Sequence, residues 1–308
     1  MAKPKIILDC DPGHDDAVAI LLAARQCEML AITTVSGNAP LEMTTANALI
    51  MCQLAGLDIP VHAGADRPLL VPAAHASRAH GATGLDGPPR PGVHLEATSN
   101  DAVGAIIETA RAHDDVWLVP VGPLTNIALA IRQAPDIVDR VAGISLMGGA
   151  VGPGNVTPTA EFNIWADPHA AQMVFAAGVP LVRMAGLNLT HQLCVGPNET
   201  ASLRAQGGMV PEFVAALFDF YLAGYRERAG LEAAPMHDPC AVLAVTHPEL
   251  LTFGARHVDV ETNGQLTRGM TVADERPGAE ATPNCEVAYS IDAAAALELI
   301  VDAVSSYD

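Results

Sequence analysis

The stretch KIILDCDPGHDDAVAILLAA, residues 5–24, constrains this chain more than any other part of it. Ile6, Ile7 and Leu8 are a short apolar run of the kind that builds a buried parallel strand, and Pro12-Gly13 stops it. Ala17 to Leu22 continues as an apolar helix. Its first turn holds Asp15 and Asp16, where free N–H groups and the helix dipole favour negative charge. Side chains two apart on a strand face the same way, so Asp9 and Asp11 are expected to point together, with Asp15 and Asp16 returning towards them. Four carboxylates at the end of a buried strand repel one another, and neither Lys nor Arg stands between Lys5 and Arg25 to neutralise them. A bound cation is the simplest answer, and ligands that are all oxygen suit Ca²⁺ or Mg²⁺ rather than zinc. A solvated acidic loop capping a helix is the plainer alternative, but surface loops rarely follow a strand this apolar.

Composition narrows the function classes. Half of the 308 residues are hydrophobic but only 4% are aromatic, so the core must be built from Ala, Val, Leu and Ile, which favours layered α/β architecture. A formal net charge of −19 argues against nucleic-acid polymers and anionic membranes as partners, and does not repel a neutral small molecule. Lysine occurs only at Lys3 and Lys5, which excludes a mechanism needing a catalytic lysine deep in the chain. Cys10, Cys27, Cys52, Cys194, Cys240 and Cys285 form no Cys-x-x-Cys pair and read as reduced thiols of a cytoplasmic protein. No apolar run reaches the roughly 18 residues of a membrane span, so a soluble, unexported protein is expected.

Further along, a second strand at 29–35 ends in Ser36-Gly37-Asn38, and strand carboxyl ends are where open α/β sheets bind ligands. A helix is expected at 41–57 and a strand at 59–63. Residues 64–95, rich in Gly, Pro and His, read as a functional loop with His80-Gly81-Ala82-Thr83-Gly84 at its middle. Further strands are expected at 116–121, 141–147, 179–184, 256–261 and 286–291, with helices at 101–112, 197–206 and 211–227. The glycine-rich segment after Met147 lets backbone lie against a ligand, but it is not a dinucleotide fingerprint. Glu161 and Asn163, an acceptor and an amide two residues apart, suit sugar hydroxyls, whereas Asp167 before Pro168 reads as a helix cap. Tyr221 and Tyr225 share a helix face, as core tyrosines commonly do. Asp238 reads first as an N-cap, with His237 beside it.

The pattern Asp9-x-Asp11-x-x-x-Asp15-Asp16 resembles the signature of the nucleoside hydrolases, which split ribonucleosides into base and ribose. The His80-Gly81 loop, the Val121-Gly122-Pro123 turn, the Asn155/Glu161/Asn163 segment and His237-Asp238-Pro239 resemble further stretches of that family, in its order. Gly269 to Asp274 does too, without assigned chemistry. The resemblance implies one domain over residues 1–308 with a mostly parallel, Rossmann-like central sheet flanked by helices, and the site at the strands' carboxyl ends. It implies Ca²⁺ held by Asp11, Asp16, Asp238 and the Val121 carbonyl, with Asp11 as general base and Asn38 orienting the water. Asp9 would support the cluster from outside it. Asp15, Asn155, Glu161 and Asn163 would bind the sugar, Met147 would contact the substrate, and Tyr221 and Tyr225 would stand beside the base. His237, or alternatively His80, would protonate or hydrogen-bond the departing base. The loop and turn are more similar to pyrimidine-preferring members, and members are usually dimers or tetramers. A DxD after a strand also opens dehalogenase-like phosphohydrolases, which need a later lysine that this chain lacks.

Overall fold

The structure is a computed structural model and describes residues 3–308. Its strands are Lys5–Cys10 (β1), Glu28–Thr34 (β2), Val61–Ala63 (β3), Val116–Pro120 (β4), Gly143–Met147 (β5), Val182–Ala185 (β6), Cys194–Val195 (β7), Ala234–Pro235 (β8), Leu251–Arg256 (β9), Val258–Val260 (β10), Thr271–Ala273 (β11) and Cys285–Ile291 (β12). The α-helices are His14–Gln26 (α1), Leu41–Leu54 (α2), Ser77–His80 (α3), Ala102–Ala112 (α4), Thr125–Gln133 (α5), Phe162–Ala166 (α6), Pro168–Phe175 (α7), Leu187–Thr190 (α8), Pro197–Gln206 (α9), Met209–Ala229 (α10), Pro239–Thr246 (α11) and Ala293–Ser305 (α12).

Eight strands form one sheet in the order β3-β2-β1-β4-β5-β6-β12-β9, parallel throughout except where β9 runs against β12. This is the expected mostly parallel sheet flanked by helices. The alternation within β1 shows why its sequence is apolar at every step. Ile6 and Leu8 pack into the core that includes residues of α1, α2, α10 and α11, while Ile7 packs into the core on the opposite face with Ile106, Ile127 and Val174. Each of these three side chains is fully buried, a contribution of roughly 1.5–3 kcal/mol apiece. From β1 the chain builds outward to β2 and β3, then crosses back to add β4, β5 and β6 on the other side. The strand order therefore reverses between β1 and β4, and the crevice at the carboxyl ends of those two strands is where such sheets bind ligands.

Several boundaries differ from the sequence expectation. The helix expected to reach residue 57 ends at Leu54, and the one expected at 211–227 runs Met209–Ala229. The strand expected from residue 179 starts at Val182, because Gly178 adopts a positive φ of 79° and Pro180 has no N–H to donate to a ladder. The strand expected at 256–261 is two segments: β9 ends at Arg256, and β10 leaves the main sheet to pair with β11. Among the described residues no helix is long and apolar enough to cross a membrane.

Candidate active site

The end of β1 turns through Asp11-Pro12-Gly13 into α1, and this turn is closed by Asp16. One Asp16 oxygen accepts the Asp11 N–H at 3.1 Å, and the other accepts the Gly13 N–H at 2.8 Å. The first turn of α1 is thereby tied to the strand end. Asn38, on the turn after β2, reinforces it: its N–H donates to Asp11 Oδ2 at 2.6 Å, and its side-chain amide donates to the Asp11 carbonyl and to Asp16 Oδ2, both at 3.1 Å. Asp15 lies near the start of α11, where the main chain of His237 and Asp238 favours its ionised form.

The carboxylates that converge are Asp11, Asp15, Asp16 and Asp238, each buried. Oxygens of Asp15, Asp16 and Asp238 all lie within 4.8 Å of one another. Asp238 stands at the N-cap position of α11 but makes no capping hydrogen bond, so the cap expected from sequence is corrected: the carboxyl is turned to the acidic cluster instead. Asp9, expected to point with Asp11, is drawn off by Thr33 Oγ1 at 2.6 Å and Asn126 Nδ2 at 2.8 Å. Burial pushes Asp9 up to about 7 against these two donors, and pushes Asp15 up to about 7 with the neighbouring Asp16 charge adding to it. Asp11 and Asp238 are raised well above the carboxylate range, first by burial and then by neighbouring aspartates, and burial raises Asp16 as well. Asp11 Oδ1 is buried with no hydrogen-bond partner. A buried acceptor without a donor, inside a group of like charges, is the electrostatic vacancy a cation fills.

Above this cluster opens a cavity of about 620 Å³, lined on its floor by Asp15, Asn38, Val121 and Asp238. Asp11 and Asp16 lie outside its lining, fully buried. One wall carries Met147, Asn155, Glu161 and Asn163. Asn163 Nδ2 donates to the Val121 carbonyl at 2.9 Å and the Met147 carbonyl at 3.1 Å, which holds the ends of β4 and β5 together. Glu161 and Asn163, expected to face one side, both line the cavity, and Glu161 is in addition the N-cap of α6, accepting from Asn163 N, Ile164 N and Gly149 N. Burial pushes this carboxyl up to about 7 in spite of those donors. Asn155 Oδ1 accepts from Phe162 N at 3.0 Å. Asp167 caps α7 as expected, and its other oxygen takes the Thr125 hydroxyl and Leu69 N–H. The segment around Thr271 also has a task the sequence did not disclose, since its hydroxyl and the Ala150 main chain hydrogen-bond each other in both directions.

The opposite wall is aromatic and imidazole. Tyr221 and Tyr225 of α10 meet edge to face with centroids 5.0 Å apart; both line the cavity while Tyr221 also belongs to the buried core, so the shared helix face is both core and a wall of the site. His237 Nδ1 lies 2.7 Å from Thr190 Oγ1 and its Nε2 lies 3.4 Å from the Tyr225 hydroxyl. Burial, then the nearby His191, lowers it to about 3, so the ring is neutral near pH 7. His80 ends the short helix α3 within the 64–95 loop; it is buried, and its ring stacks 5.6 Å from that of Tyr221. His14, which sequence reasoning passed over, contacts His80 directly. Its only sequence signal was a polar ring at the head of a helix whose next nine residues are all buried.

A family model described as inosine-uridine preferring nucleoside hydrolase matches residues 6–298. The pyrimidine-specific ribonucleoside hydrolase RihB of Escherichia coli (strain K12) is 43% identical over 310 residues, spanning 100% of this chain and 99% of that protein. Among solved structures, a purine-preferring ribonucleoside hydrolase from Gardnerella vaginalis superposes with a TM-score of 0.92 at 33% identity, covering 98% of each chain. The plant nucleoside hydrolase PpNRh1 superposes with a TM-score of 0.90 at 30% identity, covering 98% of this chain and 99% of its own.

Proposed function

Since the chain belongs to the inosine-uridine preferring nucleoside hydrolase family and hydrolyses the N-glycosidic bond of ribonucleosides, we propose that its preferred substrates are pyrimidine ribonucleosides, uridine foremost. In this reading inosine is a second substrate, Ca²⁺ is the cation, and residues 1–308 act as one domain. The observation that carries it is the convergence of Asp15, Asp16 and Asp238, with the Asp11 charge acting on them, beneath a cavity whose walls divide into a carboxylate-and-amide side and an aromatic-and-imidazole side. The pyrimidine preference follows the Escherichia coli relative, and the cavity of about 620 Å³ leaves room for a two-ring base.

The carboxylates of Asp11, Asp16 and Asp238 and the carbonyl of Val121 would hold the cation, and the unpartnered Asp11 Oδ1 and the uncapped Asp238 fit that task. An oxygen-only donor set suits Ca²⁺. The chemistry such an ion supplies when bound is charge neutralisation and a more acidic water. Asp11 takes the proton of the attacking water as general base. Asn38, bonded to both Asp11 and Asp16, fixes the base and orients the water. Asp15, Asn155, Glu161 and Asn163 bind ribose hydroxyls, with Met147 against the sugar. On the other side His237 serves the leaving base. This role requires the tautomer in which the Thr190 hydroxyl donates to Nδ1 and the ring proton sits on Nε2, the nitrogen 3.4 Å from the Tyr225 hydroxyl. His80 hydrogen-bonds the base from the loop, and Tyr221 and Tyr225 pack beside it. A cytoplasmic setting is supported by six free cysteines, five of them buried. Assembly as a dimer or tetramer belongs to the same reading and is checked by light scattering.

The test is release of reducing sugar from uridine, cytidine and inosine, each with and without chelator and with phosphate absent. The expected result is release from all three, fastest from uridine and abolished by the chelator. Release that is indifferent to the chelator would remove the cation from the reading, and inosine turnover far above uridine would reverse the base preference.

A further inference from the structure

His14 is fully buried at the head of α1, one residue before the acidic pair. Its ring Nε2 lies 2.8 Å from the Asp86 carbonyl, which can only accept, so Nε2 carries a hydrogen. Its main-chain N–H donates to His80 Nδ1 at 3.2 Å, and its own Nδ1 lies 3.1 Å from that same atom. An N–H can only donate, so His80 Nδ1 accepts and a neutral His80 holds its proton on Nε2, the nitrogen left for a ligand. The His14 ring is stacked on Phe220 and on Tyr221, each at 5.3 Å between centroids. An apolar side chain packed on those two rings would be buried at lower desolvation cost, so an imidazole there is accounted for by the Nε2–H it gives to the Asp86 carbonyl.

Both points that His14 touches belong to the 64–95 loop, and the loop is closed between them. The Asp86 carboxylate gathers the N–H groups of Ala82 and Thr83 and the Thr83 hydroxyl. Asn47 Nδ2 then bridges the Thr83 carbonyl at 2.7 Å to the Pro12 carbonyl at 2.8 Å. Gly13 lies so close beneath that a Cβ on it would stand 2.5 Å from His80 Nδ1. Residues 12–14 are therefore the seat on which the loop rests.

From this we infer that His14 is a positioning residue for the base side of the reaction: its Nε2–H holds the Asp86 carbonyl, and with it residues 82–86, against the first turn of α1, so that His80, bonded to the His14 main-chain N–H, keeps its place. The inference rests on the reading above in which His80 meets the base. Two substrates test it: uridine, whose base needs a hydrogen bond or proton to leave, and p-nitrophenyl β-D-ribofuranoside, whose phenolate leaves unaided. His14→Ala is expected to lower kcat/KM for uridine by roughly tenfold, the value of one well-placed hydrogen bond, while the aryl riboside changes by less than about twofold. His14→Gln, whose amide can reach and donate to the Asp86 carbonyl as Nε2–H does, is expected to recover more of the uridine activity than His14→Asn, which is too short to reach it. Adding His14→Ala to His80→Ala is expected to cost nothing further. Equal losses on the two substrates, or losses that multiply in the double variant, would overturn the role of His14 while leaving His80 at the base. Unchanged uridine turnover in His80→Ala alone would instead remove the base contact of His80, and the inference with it. Should His14→Ala fail to fold, the Asn and Gln variants carry the same comparison.

Discussion

Asp11 has one oxygen held by the Asn38 N–H and the other without a donor, an arrangement suited to a base that must also meet a cation. Asp11→Asn keeps the shape and the Asn38 contact but cannot take a proton. Nucleoside binding is expected to survive while kcat falls by about 10²–10⁴, measured by equilibrium binding beside steady-state turnover. Asp9 behaves differently, because its carboxyl, pushed up to about 7, is protonated in the folded chain where an unfolded aspartate is not. The folded state then holds more protons between about pH 4 and about pH 7, so this group's contribution to stability falls as pH rises through that window, by at most about 1.4 kcal/mol per pH unit. Asp9→Asn can still accept from Thr33 and Asn126 through its amide oxygen and carries no charge. In chelator, denaturant midpoints at about pH 5 and about pH 8 should differ less for it than for the parent chain. That Asp11, Asp15 and Asp16 gather at the end of β1 was legible from their spacing. That Asp9 turns away was not, because Thr33 and Asn126 are distant in sequence, and neither was His14, whose partner His80 lies 66 residues on.

At the scale of elements, the first βα unit was readable because an unbroken apolar strand, a Pro-Gly stop and acidic first-turn residues all specify the same local structure. The Glu161 segment was legible only in part, for the opposite reason. A glutamate before an apolar stretch serves a helix start or a sugar equally well, and only the positions of Gly149, Asn163 and Ile164 N–H groups reveal that it caps α6. The 64–95 loop has little regular structure, and its placement depends on a few anchors. Asn47→Ala removes the amide bridging Pro12 and Thr83 from inside α2, leaving the helix intact. The expected effect is a KM for uridine raised by roughly three- to tenfold with kcat less affected, since one tether of the closed loop is lost and not a reacting group. An unchanged KM would show that His14 and Asp86 suffice to seat the loop.

For the whole molecule, the sheet order decides what meets what. β1, β2, β4 and β5 deliver Asp11, Asn38, Val121 and Met147 to one edge, and the HDP segment, more than 200 residues later in the chain, arrives there at the head of α11. Chain order of the segments could be read directly; their meeting point follows from the strand reversal between β1 and β4, which no local pattern encodes. Because cation binding requires ionised ligands and these carboxylates are raised by burial, Ca²⁺ is expected to raise the melting temperature more at about pH 8 than at about pH 5.5. A shift equal at the two pH values would mean that the cluster does not titrate with the ion. The turn at residues 12–14 is shared property: one side of it fixes the acidic cluster and the other receives the 64–95 loop, which in the proposed reading covers the nucleobase. Two ligands that organise the same three residues are thermodynamically linked. Whatever factor a bound nucleoside adds to the affinity for the cation, the cation must return to the nucleoside, so titrating either one measures the other's effect.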